Sequence, residues 1–82
     1  KMKLNIRKSA IKDLRRISEK DRDRIHRKIL DLEAFPEVSN IKRLTNFDPA
    51  YRLRVGNYRV LFDVYEDIIE IARVLHRRES YK

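Results

Sequence analysis

The chain opens on a period-two alternation, with Met2, Leu4 and Ile6 apolar and Lys3, Asn5 and Arg7 polar, which predicts a first strand with one buried face. From Ser9 the period lengthens to about 3.6 residues, with Ala10, Ile11, Leu14 and Ile17 on one stripe, predicting a helix capped by Ser9. Ser18-Glu19-Lys20-Asp21 has the form of a capping box and precedes a second stripe, Ile25, Ile29 and Leu32, in a helix that Pro36 stops. Residues 36–50 hold both prolines and the Asn46-Phe47-Asp48 cluster and read as a loop, with Ile41 and Leu44 pinning it to the core. Alternation then returns in three segments, near 51–55, 58–65 and 68–75. The expected order is β-α-α-β-β-β, one α+β domain over residues 1–82. In it, two antiparallel helices pack on one face of a four-stranded, mostly antiparallel sheet and leave the other face or its C-terminal edge open.

Arginines interrupt the last three segments in a pattern that burial does not explain. Gly56-Asn57 is a two-residue hairpin signal, so Val55 lies opposite Tyr58, Arg54 opposite Arg59, and Arg52 one pleat further on the same face. Like charges directly opposite each other destabilise a sheet, so a sheet that retains them has an anionic polymer to meet. A merely solvated sheet face also alternates in charge, and remains the simpler reading. Arg73 raises a register question. If Glu66-Asp67 is also a two-residue loop, Arg73 falls on the core side; a one-residue bulge, or a three-residue loop, returns it to the arginine face, and the bulge is the expectation.

Composition narrows the partner. The 82 residues include no cysteine, which excludes disulfides and thiolate metal sites. Charged residues make up 41%, and the net charge of +8 points to an anionic partner, nucleic acid or a membrane surface. Residues 1–50 carry 14 basic and 8 acidic side chains, residues 51–82 only 7 and 5, so most of the excess lies on the helical half. There it is either a solvated face or a surface for docking on RNA. No apolar run suits a membrane span, and no secretory leader is visible, so a cytoplasmic location is expected. Met2 is the expected native start, with Lys1 an appended residue. There is no glycine-rich phosphate loop, zinc-protease motif or carboxylate cluster suited to magnesium, and neither a metal nor another cofactor is expected.

Two stretches carry a family resemblance: Tyr51-Arg-Leu-Arg-Val-Gly-Asn-Tyr-Arg59, and Arg73-Val-Leu-His-Arg77 through Tyr81. In order, spacing and frame the chain resembles the RelE branch of the RelE/ParE toxin superfamily, ribosome-dependent mRNA-cleaving toxins of toxin–antitoxin pairs. The resemblance implies a metal-independent endoribonuclease that cleaves mRNA in the ribosomal A site by attack of a ribose 2′-hydroxyl on the adjacent phosphate. It assigns Arg59 to transition-state stabilisation, Arg77 to proton donation and Tyr81 to substrate contact. Arg52 and Arg54 stand where well-studied members carry lysines, one of them a candidate general base. Arg43, Arg73 and Arg78 are candidate RNA-backbone contacts. His76 has the one suitable unperturbed pKa near this site, about 6.5, and reads either as a proton shuttle or as an orienting residue.

The implied partners are a cognate antitoxin, the ribosome and mRNA, with the free toxin monomeric. Two other readings stay open: a ParE-like inhibitor of DNA gyrase on the same fold, and a non-catalytic RNA-binding module.

Overall fold

The N-terminal alternation becomes strand β1 (Lys3–Ile6), followed by helices α1 (Lys8–Arg15) and α2 (Glu19–Asp31). After a 3-10 turn at Leu32–Ala34 come strands β2 (Ile41–Arg43), β3 (Tyr51–Val55), β4 (Tyr58–Tyr65) and β5 (Ile68–His76). The computed structural model describes residues 1–46 and 48–79. Among these the strands form one sheet in the order β1-β5-β4-β3-β2, with β1 parallel to β5 and every other pair antiparallel. The sheet therefore has five strands where the pattern predicts four. The added strand, β2, lies inside the stretch read as a loop and is only three residues long, too short for alternation to be recognised. Ile41 opposes Leu53 and packs against the core.

The helices form as their stripes demand, with two departures. Ser18 caps α2, its hydroxyl accepting the Asp21 N–H at 3.4 Å. Ser9, however, does not cap α1: the helix begins two residues earlier behind Arg7, whose side chain makes no cap bond, and the Ser9 hydroxyl donates to the Ala72 carbonyl at 2.6 Å. Ile11 is 39% exposed and lies off the buried stripe, which at α1 is Ala10 and Leu14. The short link between the helices is closed by Arg22 of α2, whose Nη1 donates to the carbonyls of Leu14 and Ile17 at 3.3 and 3.2 Å. One arginine thus serves the carbonyl end of α1, where cations are favoured.

One face of the sheet meets the helices. Leu53, Val55, Val60, Phe62, Ile69, Ile71 and Val74 pack with Ala10, Leu14, Ile25, Ile29 and Leu32. At the far side Tyr51 stacks on Phe62 (5.4 Å between centroids), and Phe35 meets both rings edge-on. Phe62 is fully buried at the centre.

The β3–β4 hairpin has the expected register, Val55 opposite Tyr58 and Arg54 opposite Arg59. Gly56 carries the positive φ of +58° at the first loop position, and a Cβ there would also approach the Arg24 guanidinium of α2 to 2.9 Å. Glu66 takes a similar φ of 53° at the next hairpin, where a side chain is a cost. The two turns predict opposite responses. Gly56→Ala lowers stability by about 1–2 kcal/mol and Glu66→Gly raises it by about 0.5–1 kcal/mol, measured by urea unfolding.

Candidate nucleic-acid interface

The face of the sheet turned away from the helices is built by parity. Along β3 it takes Arg52 and Arg54, along β4 Arg59, Leu61 and Asp63, and along β5 Leu75. β2 adds Lys42, opposite Arg52. The bulge expected in the last hairpin is present: Phe62 pairs with Ile71 but Leu61 with Arg73, leaving Ala72 as the extra residue. Arg73 therefore stands beside Leu61 instead of beside Val60 in the core. Lys42, Arg52, Leu61 and Arg73 make one row across the sheet, and Arg54, Arg59 and Leu75 the next.

Leu61 is only 6% exposed although it lies on the open face. Arg52 and Arg73 flank it in register, and the Nε of Arg52 is itself buried. The cationic face thus has an apolar floor.

The opposed pair Arg54 and Arg59 manages its repulsion by divergence. A two-residue hairpin makes Val55–Tyr58 the hydrogen-bonded pair, so the next pair is of the closer, non-hydrogen-bonded kind, with Cα atoms about 4.5 Å apart. Arg54 is exposed, and its backbone N–H continues the β2–β3 ladder to the Asn40 carbonyl at 3.0 Å. Arg59 folds back over the hairpin, Nη1 donating to the carbonyls of Gly56 at 3.1 Å and Tyr58 at 3.0 Å. Those two bonds fix the plane of the guanidinium before any ligand arrives, and they give Arg59 a structural part as well.

The ladder runs one residue beyond β5, the Arg77 N–H donating to the Asn57 carbonyl at 2.7 Å. This anchors the base of Arg77 at the hairpin tip, one position past His76 and so on the side of Arg59 and Leu75.

The remaining sequence candidates are tied to other partners or lie off this face. Arg73 is held by Asp13 of α1 through two bonds, Nε to Oδ2 at 2.8 Å and Nη2 to Oδ1 at 3.0 Å. The hydrogen bond to Asp13 pushes its pKa above the ordinary arginine value. Arg43 opposes Tyr51 on the helix side and places its guanidinium over the Tyr51 ring, 5.5 Å from the centroid. Arg43 thus lies on the helix side, and it is Lys42, opposite Arg52, that stands on the open face. His76 opposes Tyr58, also on the helix side, and the two rings meet edge-on at 5.3 Å. Its Nδ1 accepts the Arg78 N–H at 3.3 Å, so His76 organises the turn after β5 and does not stand among the arginines. Arg78 is exposed in that turn. Tyr81 lies outside the described residues.

Nearby carboxylates have partners. Asp63 accepts the Ala50 N–H at 2.7 Å, and Glu70 pairs with Arg7 at 2.9 Å. Among the described residues no three His, Cys, Asp or Glu side chains are grouped as a metal site. A groove of about 500 Å³ bordered by Leu30, Ala34 and Val38 shares no residue with the arginine face. That face is turned away from the helices, a surface of the kind a polymer can lie along rather than an enclosed pocket for a small molecule. No helix among the described residues is long and apolar enough to cross a membrane.

Residues 4–81 match the family model of the ParE toxin of the type II toxin–antitoxin system parDE. The chain belongs to the RelE/ParE toxin superfamily. It is similar to Toxin RelE3 of Methanocaldococcus jannaschii, 34% identical over 98% of this chain and 96% of the relative. A putative toxin RelE1 of the same organism is 36% identical over 100% and 97%. Among solved structures, the toxin resembles a chain of the RelB–RelE antitoxin–toxin complex from Methanococcus jannaschii. There the TM-score is 0.77 at 32% identity, covering 90% of this chain and 91% of that one. The isolated Escherichia coli RelE toxin shares the fold, with a TM-score of 0.78 at 16% identity over 99% and 89%. The protein is thus a toxin of a type II toxin–antitoxin system.

The helix side of the site yields a titration prediction. Burial, and then the Asp21 carboxylate 3.4 Å from the phenol oxygen, raise the Tyr58 pKa above 10.0. An acid whose folded pKa is raised keeps its proton longer in the folded than in the unfolded chain, so its linkage removes stability as pH rises past the unfolded value. Unfolding by urea between about pH 9 and 11 therefore shows a decline that Tyr58→Phe reduces.

Proposed function

We propose that this toxin is a ribosome-dependent endoribonuclease that cleaves mRNA in the A site and so inhibits translation. The observation that carries the proposal is the two adjacent rows, Lys42–Arg52 and Arg54–Arg59, on one open sheet face around buried Leu61, with Arg59 held by two hairpin carbonyls. Phosphoryl transfer gathers negative charge on non-bridging phosphate oxygens, and planar guanidinium groups meet those oxygens in pairs. In the proposed step the ribose 2′-oxygen attacks the adjacent phosphorus, the bond to the 5′-oxygen breaks, and the products are a 2′,3′-cyclic phosphate and a 5′-hydroxyl. Arg59 stabilises the charge of the transition state, Arg52, Arg54 and Lys42 hold the backbone, and Arg77 stands by the leaving oxygen.

Arginine is a poor proton shuttle because its pKa exceeds about 12. With His76 on the helix side, the rate must come mainly from orientation and charge stabilisation, which accounts for dependence on the ribosome to hold the RNA. The toxin would act in the cytoplasm and be restrained by an antitoxin, as the RelB–RelE complexes among its structural relatives suggest. An apolar, acidic antitoxin segment that folds on binding would suit a +8 surface. The name of the matching family model keeps gyrase inhibition as a second reading.

An mRNA cleavage assay on programmed ribosomes, run beside a gyrase supercoiling assay, separates the readings. Arg59→Ala and Arg77→Ala are each expected to reduce the single-turnover rate by about 10²–10³-fold. Because Arg59 also braces the hairpin, its variant is compared at equal folded fraction by circular dichroism. A fully active, folded variant removes that arginine from the site. The 3′ product should end in a 5′-hydroxyl, and a substrate with 2′-deoxyribose at the scissile nucleotide should be inert; a 5′-phosphate end overturns the chemistry.

A further inference from the structure

β1 ends at Ile6, and the Arg7 N–H bond to the Ile71 carbonyl at 2.9 Å is its last contact with β5. Beyond that point the edge of β5 is completed by side chains of α1. Ser9 donates to the Ala72 carbonyl at 2.6 Å, and Asp13 Oδ2 accepts the Val74 N–H at 2.9 Å. The same carboxylate takes the Arg73 guanidinium in the two-bond geometry described above. All three contacts fall on the bulge or on the two residues after it. The Asp13 side chain is 11% exposed and Val74 is buried, so loss of the carboxylate strands a backbone donor away from water.

The bulge decides more than the place of Arg73. If Ala72 were paired in regular register, Val60 would face Arg73, Arg59 would face Val74 and Tyr58 would face Leu75. Every side chain from 73 onward would change sides, and Arg77 would leave the face of Arg59. We propose that Asp13, on a helix outside the arginine face, is a positioning residue for Arg77: by holding Val74 and Arg73 together it keeps the bulged register that brings Arg77 beside Arg59. Its effect on rate rests on the endoribonuclease reading, while its effect on register does not.

The test has two arms. In the first, NMR follows the cross-strand contact between Leu61 and Arg73 and exchange of the Val74 amide in the intact toxin. Asp13→Ala should weaken the contact and speed exchange; Asp13→Asn, which keeps an acceptor oxygen, should retain both in large part. An unchanged Leu61–Arg73 contact and a protected Val74 amide in Asp13→Ala overturn the proposal. The second arm is a double-mutant cycle in single-turnover cleavage. Asp13→Ala alone should slow cleavage by about 10–100-fold, the scale expected when a reacting group is misplaced by about 1 Å. On an Arg77→Ala background it should add little, because a residue acting through Arg77 has nothing left to position. Equal losses on both backgrounds mean a general effect on folding and overturn the proposal. If Asp13→Ala fails to fold, Asp13→Asn carries the cycle with a smaller loss. A wild-type toxin that cleaves no mRNA on ribosomes defeats the endoribonuclease reading alone, and the NMR arm still decides whether Asp13 sets the register.

Discussion

The arrangement of this sheet depends on one extra residue in β5. Side chains in a strand alternate strictly, so a strand can serve a core on one face and a charged ligand on the other only if its register matches both demands. β5 meets them in two halves. From Ile68 to Ile71 its parity is set by β1 and the core, and from Arg73 onward by the arginine face. Ala72 lies between, absorbing the difference as a bulge. The helix that follows β1 then supplies with side chains the hydrogen bonds that a longer β1 would have supplied with backbone.

On the open face the cations gather around buried Leu61 and half-buried Leu75. In register Leu61 lies between Arg52 and Arg73, and Leu75 beside Arg59, so the charged positions alternate with apolar ones. Charge that rests on low-dielectric material is screened less than charge on free side chains in water. The repulsion between Arg54 and Arg59 is the counterpart. It is moderated because Arg59 turns to the hairpin carbonyls, whose partial charges offset part of its own.

How much of this could be read in advance follows from the range of each signal. The Arg54–Arg59 pairing was legible because a two-residue loop leaves no freedom in register. The bulge was legible only as the remedy for a conflict, since nothing local at Ile71-Ala72-Arg73 marks it. β2 escaped notice because three residues cannot display a period, and with it went the place of Lys42 on the open face. Ser9 looked like a cap because serine before an apolar stripe usually is one; its actual partner, Ala72, is distant in sequence. The side taken by His76 follows from the bulge count, so it could not be fixed before the bulge itself. These failures are all non-local: each needed a partner strand or helix that the segment's own pattern does not name.

The two ends of the sheet carry a further consequence. An open β-edge is a template on which another copy of the chain can pair, and proteins blunt it with short strands and charge. Here one edge strand is three residues long and places Lys42 and Arg43 in the open, while the other exposes Lys3 and Asn5. Two copies brought edge to edge at β2 would juxtapose lysine and arginine with their equivalents. The sheet can thus leave one face free of helices while the excess of positive charge at its edges opposes pairing with a second copy.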